Sequence, residues 1–266
     1  MSTPTRPLPD LSDRHSPPLG GFSFTVLRLE VRRLLRNRRT MLFTLIMPVF
    51  FFLIFGLNDD YATQNAGHGN VSAFIMISMA LYGAVLATTS GGAMVSIERA
   101  LGWSRQLRLT PLSPLAYVVT KMLTSMVLGL GSVVAVYAAG VISGKPSMAV
   151  HLWILTLLLV WAGSLVFAAF GLFMGYLLPT ENVMQILSFA LMLFAFGGGL
   201  FIPLSQMNET FQTVAKLSPL YGLNTIVHAP LTGESLGASP IVNVLVWLAV
   251  FVGGGVWRLK KDTARV

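Results

Sequence analysis

Six long apolar runs, at residues 41–57, 71–97, 115–143, 149–178, 183–202 and 241–257, leave this chain few folds to choose from. A helix that crosses the roughly 30 Å hydrocarbon core of a bilayer needs about 20 mainly apolar residues, and each run is close to that length or beyond it. In lipid an unpaired backbone group is costly, so only helices and closed barrels span. Barrel strands alternate apolar and polar residues over about ten positions, and these runs do not alternate. The predicted fold is all-α and polytopic, with six transmembrane helices. Composition agrees: 54% of residues are hydrophobic and 11% charged, with a mean hydropathy of +0.72, which excludes an ordinary soluble domain. The chain has no cysteine, hence no disulfide framework, thiolate nucleophile or Cys-based metal site. Pro48 predicts a kink in the first span. Gly83, Ala87, Gly91, Gly92, the Gly171-x-x-x-Gly175 pair and Gly197–Gly199 predict close helix approach, mostly within the chain.

Outside the spans, charge sets the arrangement. Residues 1–21 hold five prolines and few apolar side chains, too little to offset ordering, so they read as a disordered cytoplasmic tail. No apolar core of a signal peptide is present there. Residues 22–39 form a basic amphipathic pattern, with Phe24, Leu27, Val31, Leu34 and Leu35 on one face and Arg28, Arg32, Arg36 and Arg39 on another. Such a helix lies in the headgroup plane against membrane lipid; an ordinary stop-transfer flank is the alternative. The net charge of +8 does not point to nucleic acid, because this arginine cluster abuts a span and lacks base-stacking aromatics. With the N-terminus inside, the cytoplasmic set comprises the eight basic residues of 1–40 and Arg99, Arg105, Arg108, Lys121, Arg258, Lys260, Lys261 and Arg265. Only Lys145 and Lys216 fall outside. The rule that cytoplasmic loops are the basic ones then places both termini inside, with 258–266 a basic cytoplasmic tail. The long outer connection, 203–240, carries two short apolar periodicities divided at Ser218-Pro219, read as re-entrant or interfacial helices.

Between the second and third runs, Ala100, Trp103 and Leu107 fall at helical spacing, so 99–109 predicts a short amphipathic helix. Thr110-Pro111-Leu112-Ser113-Pro114 breaks it. The whole stretch, Glu98…Gly102…Leu107-Arg108-Leu109-Thr110-Pro111-Leu112-Ser113-Pro114…Tyr117…Lys121, resembles the signature of ABC-2-type transporter permeases. Many members read Glu-x-x-x-Gly-Thr, and here Trp103 stands in place of the Thr. The resemblance implies that Glu98, Arg99, Gly102, Trp103, Arg105, Leu107, Arg108, Pro111 and Lys121 build a coupling helix and its flanks, which dock on a separate ABC ATPase. It further implies that residues 22–39 are an interfacial elbow helix, that two short helices close the outer end before the last span, and that 22–257 is one transmembrane domain. The first and fifth spans would line the translocation path at a two-fold interface with a second permease chain, as homodimer or heterodimer. Phe51, Phe55, Phe189, Phe194, Gly198 and Phe201 are the candidate path residues; lipid-facing or packing roles are the alternative for each.

Lys121 is the one basic residue written into a span, about 9 Å past its start. Snorkelling to the interface and pairing with Glu98 are equally open readings. His151 stands at the outer edge of its run, and no other acid, base or histidine lies in a span interior, which argues against a proton- or sodium-coupled carrier. Gly140–Ser147 fails as a phosphate loop, with three residues between its glycines and Pro146 after Lys145. The chain is therefore expected to bind no cofactor and to be no enzyme; ATP and magnesium would sit on two copies of the partner ATPase. The predicted function is a plasma-membrane permease subunit exporting an apolar or amphipathic substrate, such as a drug, antibiotic or lipid-like molecule. A polytopic enzyme acting on lipid is the alternative, but it needs a cluster of catalytic side chains at one depth. Reporter fusions check the topology: those after Asp60 and Glu234 should report outside, those after Arg108 and Lys261 inside. A cytoplasmic signal at Glu234 would refute six spans.

Overall fold

A computed structural model describes residues 18–102, 112–179, 182–201, 204 and 207–264. Among these it contains helices and two isolated β-bridges, Asn65 with Asn70 and Gly69 with Met148. After a short turn at Pro18–Gly21 come α1 (Phe24–Leu35) and α2 (Arg38–Met41). A π-helical stretch, Leu42–Ile46, leads from α2 into α3 (Met47–Gly56). Next come α4 (Asp59–Thr63), α5 (Val71–Ala100) and α6 (Pro114–Ser143). The second half holds α7 (Val150–Gly163), α8 (Leu165–Leu177), α9 (Val183–Gly197), α10 (Glu209–Ala215), α11 (Pro219–Thr232) and α12 (Ala238–Ala264).

Four described helical stretches are long and apolar enough to cross a bilayer: Val71–Ala100, Leu115–Ser143, Val150–Leu177 and Ala238–Leu259. Leu42–Gly56 and Val183–Gly197 are apolar but shorter. At 1.5 Å per residue, α9 reaches only about 22 Å, less than the hydrocarbon core. The fourth apolar run, a single segment in sequence, divides at Ser164, whose hydroxyl donates to the Trp161 carbonyl (2.7 Å). The last helix runs to Ala264, past the predicted end at Trp257. Arg-Leu-Lys-Lys are good helix formers with no break among them.

Helix α5 is the centre of the core, packed along α3, α6 and α8. Small residues make this possible. A Cβ on Gly91 would lie 2.5 Å from Ser125 of α6, and one on Gly92 2.7 Å from the Ala168 carbonyl of α8. From the other side, a Cβ on Gly171 would lie 2.2 Å from the Thr89 carbonyl and one on Gly175 3.2 Å from Ala93. The GxxxG pair is thus spent on packing within the chain, as small-residue faces allow.

Pro48 lacks an N–H, so the Thr44 carbonyl four residues earlier loses its helical partner. The helix widens to the π form over Leu42–Ile46, and the Ser132 hydroxyl of α6 donates to Thr44 O at 2.6 Å. Gly83 leaves room for both, since its Cβ would lie 2.3 Å from Ser132 Oγ and 2.7 Å from Pro48 Cγ.

At the N-terminal end of α5 the connections are knitted by Asn70. Its side chain caps α5 by accepting from Ala73 N (2.9 Å) and also accepts from Ser147 N (3.0 Å). Its amide donates to the carbonyls of Ala62 (3.0 Å) and Lys145 (2.8 Å). Nearby Lys145 pairs with the exposed Asp59, and its hydrogen bond and charge hold that carboxyl below the usual carboxylate range. Lys145 is one of the two bases that sequence placed outside. The predicted pair of short helices is present as α10 and α11, with Ser218 capping α11 ahead of Pro219. His228 of α11 is buried against α5, with Nε2 3.1 Å from Ser78 Oγ and Nδ1 2.9 Å from the Asn224 carbonyl.

Gly171→Ala should lower stability by about 1–3 kcal/mol, the cost of overpacking a tight contact. Gly131→Ala, where a Cβ meets nothing within 4 Å, should be neutral or stabilising. Thermal melting of the two variants in one detergent separates them.

Candidate functional site: a buried charge cluster at the end of α5

At the far end of α5 meet Glu98 and Lys121, the most deeply buried acid and base among the described residues. Glu98 lies in the last turn of α5, with its side chain 2% exposed. One carboxylate oxygen accepts from Lys121 Nζ at 2.6 Å and from an Arg33 guanidinium nitrogen at 2.9 Å. The other accepts from the Tyr117 hydroxyl. Lys121 donates a second bond to Glu30 at 2.7 Å, and Arg33 stands 3.7 Å from Glu30. The cluster joins α1, which brings Glu30 and Arg33, to α5 and α6. Two carboxylates balance two cations, so its formal charge is zero. Lys121 is paired rather than snorkelling: its side chain is 5% exposed, and its ammonium sits 5.4 Å from the Tyr117 ring.

Local structure delivers these groups. Ser113 caps α6 by accepting from Ala116 N (3.1 Å), and Pro114 at the first helical position suits a residue without an N–H. Tyr117 and Lys121 follow four residues apart on one face. The Ser113 N–H donates to the Gly20 carbonyl at 2.8 Å, so the segment before α1 is tied to the same corner. On α1 the inward positions are Leu27, Glu30, Val31 and Leu34, while Phe24 and Leu35 are exposed. The apolar face read from sequence therefore splits, and Glu30 occupies part of the packed side.

Arg99 donates to the Tyr176 and Gly175 carbonyls at 3.0 and 3.4 Å and lies 5.5 Å from the Tyr176 ring. A cation there complements the C-terminal end of the α8 dipole. Gly102 takes φ +75°, just past the end of α5, the left-handed position where glycine commonly closes a helix. Trp103, Arg105, Leu107, Arg108 and Pro111 lie outside the described residues.

Sequence reasoning missed Glu30 and Arg33. One signal was available: Glu30 is the sole acid between Asp13 and Asp59, inside a strongly basic segment. The candidate path residues divide. Phe55, Phe51, Tyr82, Phe201 and Phe196 form a continuous aromatic run, with successive centroids 6.1, 6.5, 5.3 and 5.2 Å apart. Tyr82 had no sequence signal of its own. Phe189 is exposed. Phe194 packs inward on Phe170 at 5.6 Å. Gly198 backs against Leu220, and its carbonyl accepts from Asn224 Nδ2 at 3.1 Å.

A family model described as ABC-2 type transporter matches residues 23–229. The chain belongs to that family. The match begins where α1 begins and ends within α11, so it contains the whole cluster. The chain is also 27% identical over 239 residues to the "Putative transport permease YvfS" of Bacillus subtilis (strain 168). That alignment covers 88% of this chain and 96% of the relative. Family membership and several long apolar helices make this ABC-2 protein a multi-pass transporter membrane subunit, and the family implies an ATPase partner.

Removing one partner of a buried ion pair costs about 3–5 kcal/mol, because the other charge is left uncompensated. Glu98→Gln and Lys121→Met should each be destabilising on that scale. The double variant should lose less than the sum by about 1 kcal/mol or more. Unfolding of the four proteins in mild detergent provides the cycle.

Proposed function

We propose that the chain is the permease half of an ATP-driven exporter, with ATP and magnesium bound by two copies of a separate ABC ATPase. The supporting observation is the Glu98–Lys121 cluster. It binds both helices that enter the 103–111 stretch, and α1 beside them, into one corner. A push on that stretch is then delivered to α5, the helix around which the core is packed. A connection on flexible stems would dissipate it.

In this reading the chain crosses the plasma membrane six times, the two shorter apolar helices included, with both termini cytoplasmic. The α1 helix lies at the inner interface as an elbow. Two permease chains, alike or different, face each other across the surfaces bearing Phe51, Phe55 and Phe189, and the path between them is apolar and aromatic. Such a lining suits an apolar or amphipathic substrate, drug-like, antibiotic or lipid-like.

Trp103 and Leu107 should anchor the ATPase, since buried aromatic contacts dominate interface energy. Arg105 and Arg108 should act at the rim, on pairing rate more than affinity. Trp103→Ala should weaken docking by about 2 kcal/mol and uncouple ATP hydrolysis from efflux while leaving insertion intact. Co-purification with the ATPase and ATP-dependent efflux measure both. Normal behaviour of Trp103→Ala and Leu107→Ala together would place the docking surface elsewhere.

A further inference from the structure

A groove opens on the outer surface of the bundle between the first turns of α6, the end of α8 and the second half of α12. Its walls are apolar: Val118 and Met122 from α6, Leu172 from α8, and Phe251, Gly255 and Leu259 from α12 are among them. About 420 Å³ of space lies within its span, open solvent included. Along α12 it extends from Phe251 to Leu259, about 12 Å at 1.5 Å per residue. That is most of the roughly 15 Å of hydrocarbon in one leaflet. Gly255 keeps the floor open, because the nearest atom to a Cβ built there is the Phe173 Cα at 4.0 Å.

The end of the groove carries the opposite chemistry. Phe251, Gly255 and Arg258 fall at i, i+4 and i+7, one stripe of α12. The Arg258 guanidinium lies 5.7 Å from the ring of Trp257, which is 57% exposed. Its Nε is buried with no hydrogen-bond partner among the described residues. Tryptophan beside arginine where an apolar run ends marks the headgroup level of a bilayer. Lys260 and Lys261 follow directly in sequence. An apolar slot one leaflet deep, ending at an arginine whose planar fork suits phosphate, has the chemical outline of a phospholipid.

We propose that this groove is a binding site for one anionic phospholipid, with an acyl chain between α6, α8 and α12 and the phosphate at Arg258. The inference rests on the chain being a membrane protein and not on how transport is powered. Its consequence reaches the charge cluster. Val118 and Met122, which line the groove, belong with Tyr117 and Leu259 to the apolar packing around Val95, Leu172 and Tyr176. A seated chain completes that packing from the lipid side and braces the two turns of α6 that carry Tyr117 and Lys121.

Native mass spectrometry of the full-length permease, titrated with phosphatidylglycerol and phosphatidylcholine of identical chains, tests the site. Wild type should hold one phosphatidylglycerol about fivefold more tightly than phosphatidylcholine, the effect of one basic side chain at an anionic headgroup. Arg258→Gln should abolish that preference while keeping acyl binding. Gly255→Leu should remove one bound lipid of either kind. Val252→Trp, which plugs the groove from its exposed rim, should do the same without demanding backbone room. Equal affinity of wild type for the two lipids overturns the proposal. So does a preference that survives Arg258→Gln, or a lipid count unchanged in both groove-filling variants, as would follow if a second copy of the chain covered the groove. Neither ATPase activity nor efflux enters the readout, so failure here leaves the exporter reading standing.

Discussion

The structure depends on how closely the backbones of α6 and α8 approach α5. Apolar side chains gain little by leaving lipid for one another, so helices in a membrane are held by contact and by hydrogen bonds. Glycine at 91, 92, 171 and 175 removes the side chains that would keep the backbones apart. The approach is close enough for the Thr89 hydroxyl of α5 to reach the Phe167 carbonyl at 3.3 Å. With α5 enclosed, groups near its ends are withdrawn from water and must find partners within the protein.

The two ends meet that demand differently. At the N-terminal end, Asn70 supplies neutral hydrogen bonds to two connecting segments and to the first turn of α5. At the C-terminal end, Glu98 is charged and needs cations, and it draws them from α1 and α6. A neutral network holds a fixed geometry at little electrostatic risk. A buried charged network is more demanding, because each member is stable only while its counterions stay in place. That difference makes the end at Glu98, where the sequence runs on into 103–111, the one whose stability depends on keeping its counterions.

Much of this architecture was legible in the sequence. The hydrophobic runs marked the long helices because span length and backbone satisfaction leave little choice. The Ser-Pro steps marked the starts of α6 and α11, and glycine spacing marked close packing. Lys121 in an apolar run left snorkelling and pairing with Glu98 equally open, and the structure decides for pairing. What stayed hidden depends on partners far apart in the chain. Glu30 meets Lys121 across 91 positions, and no local periodicity encodes that contact. The same holds for Tyr82 within the aromatic run and for Asn70 across the 75 positions to Lys145. The division at Ser164 was hidden for another reason: the run is equally apolar on both sides of it.

The bond between Ser132 and Thr44 bears on how the first helix can move. A carbonyl held by its own helix travels with that helix, whereas one held by a neighbour's hydroxyl pins the two together at that level. The stretch before Pro48 is therefore anchored to α6, which also carries Tyr117 and Lys121 on its first turns. Beyond Pro48 that anchor is absent, and the aromatic half bearing Phe51 and Phe55 is held by packing instead, with Phe52 fully buried and Phe51 against Tyr82. The proline thus divides the helix into a section hydrogen-bonded to α6 and a section held by side-chain packing alone.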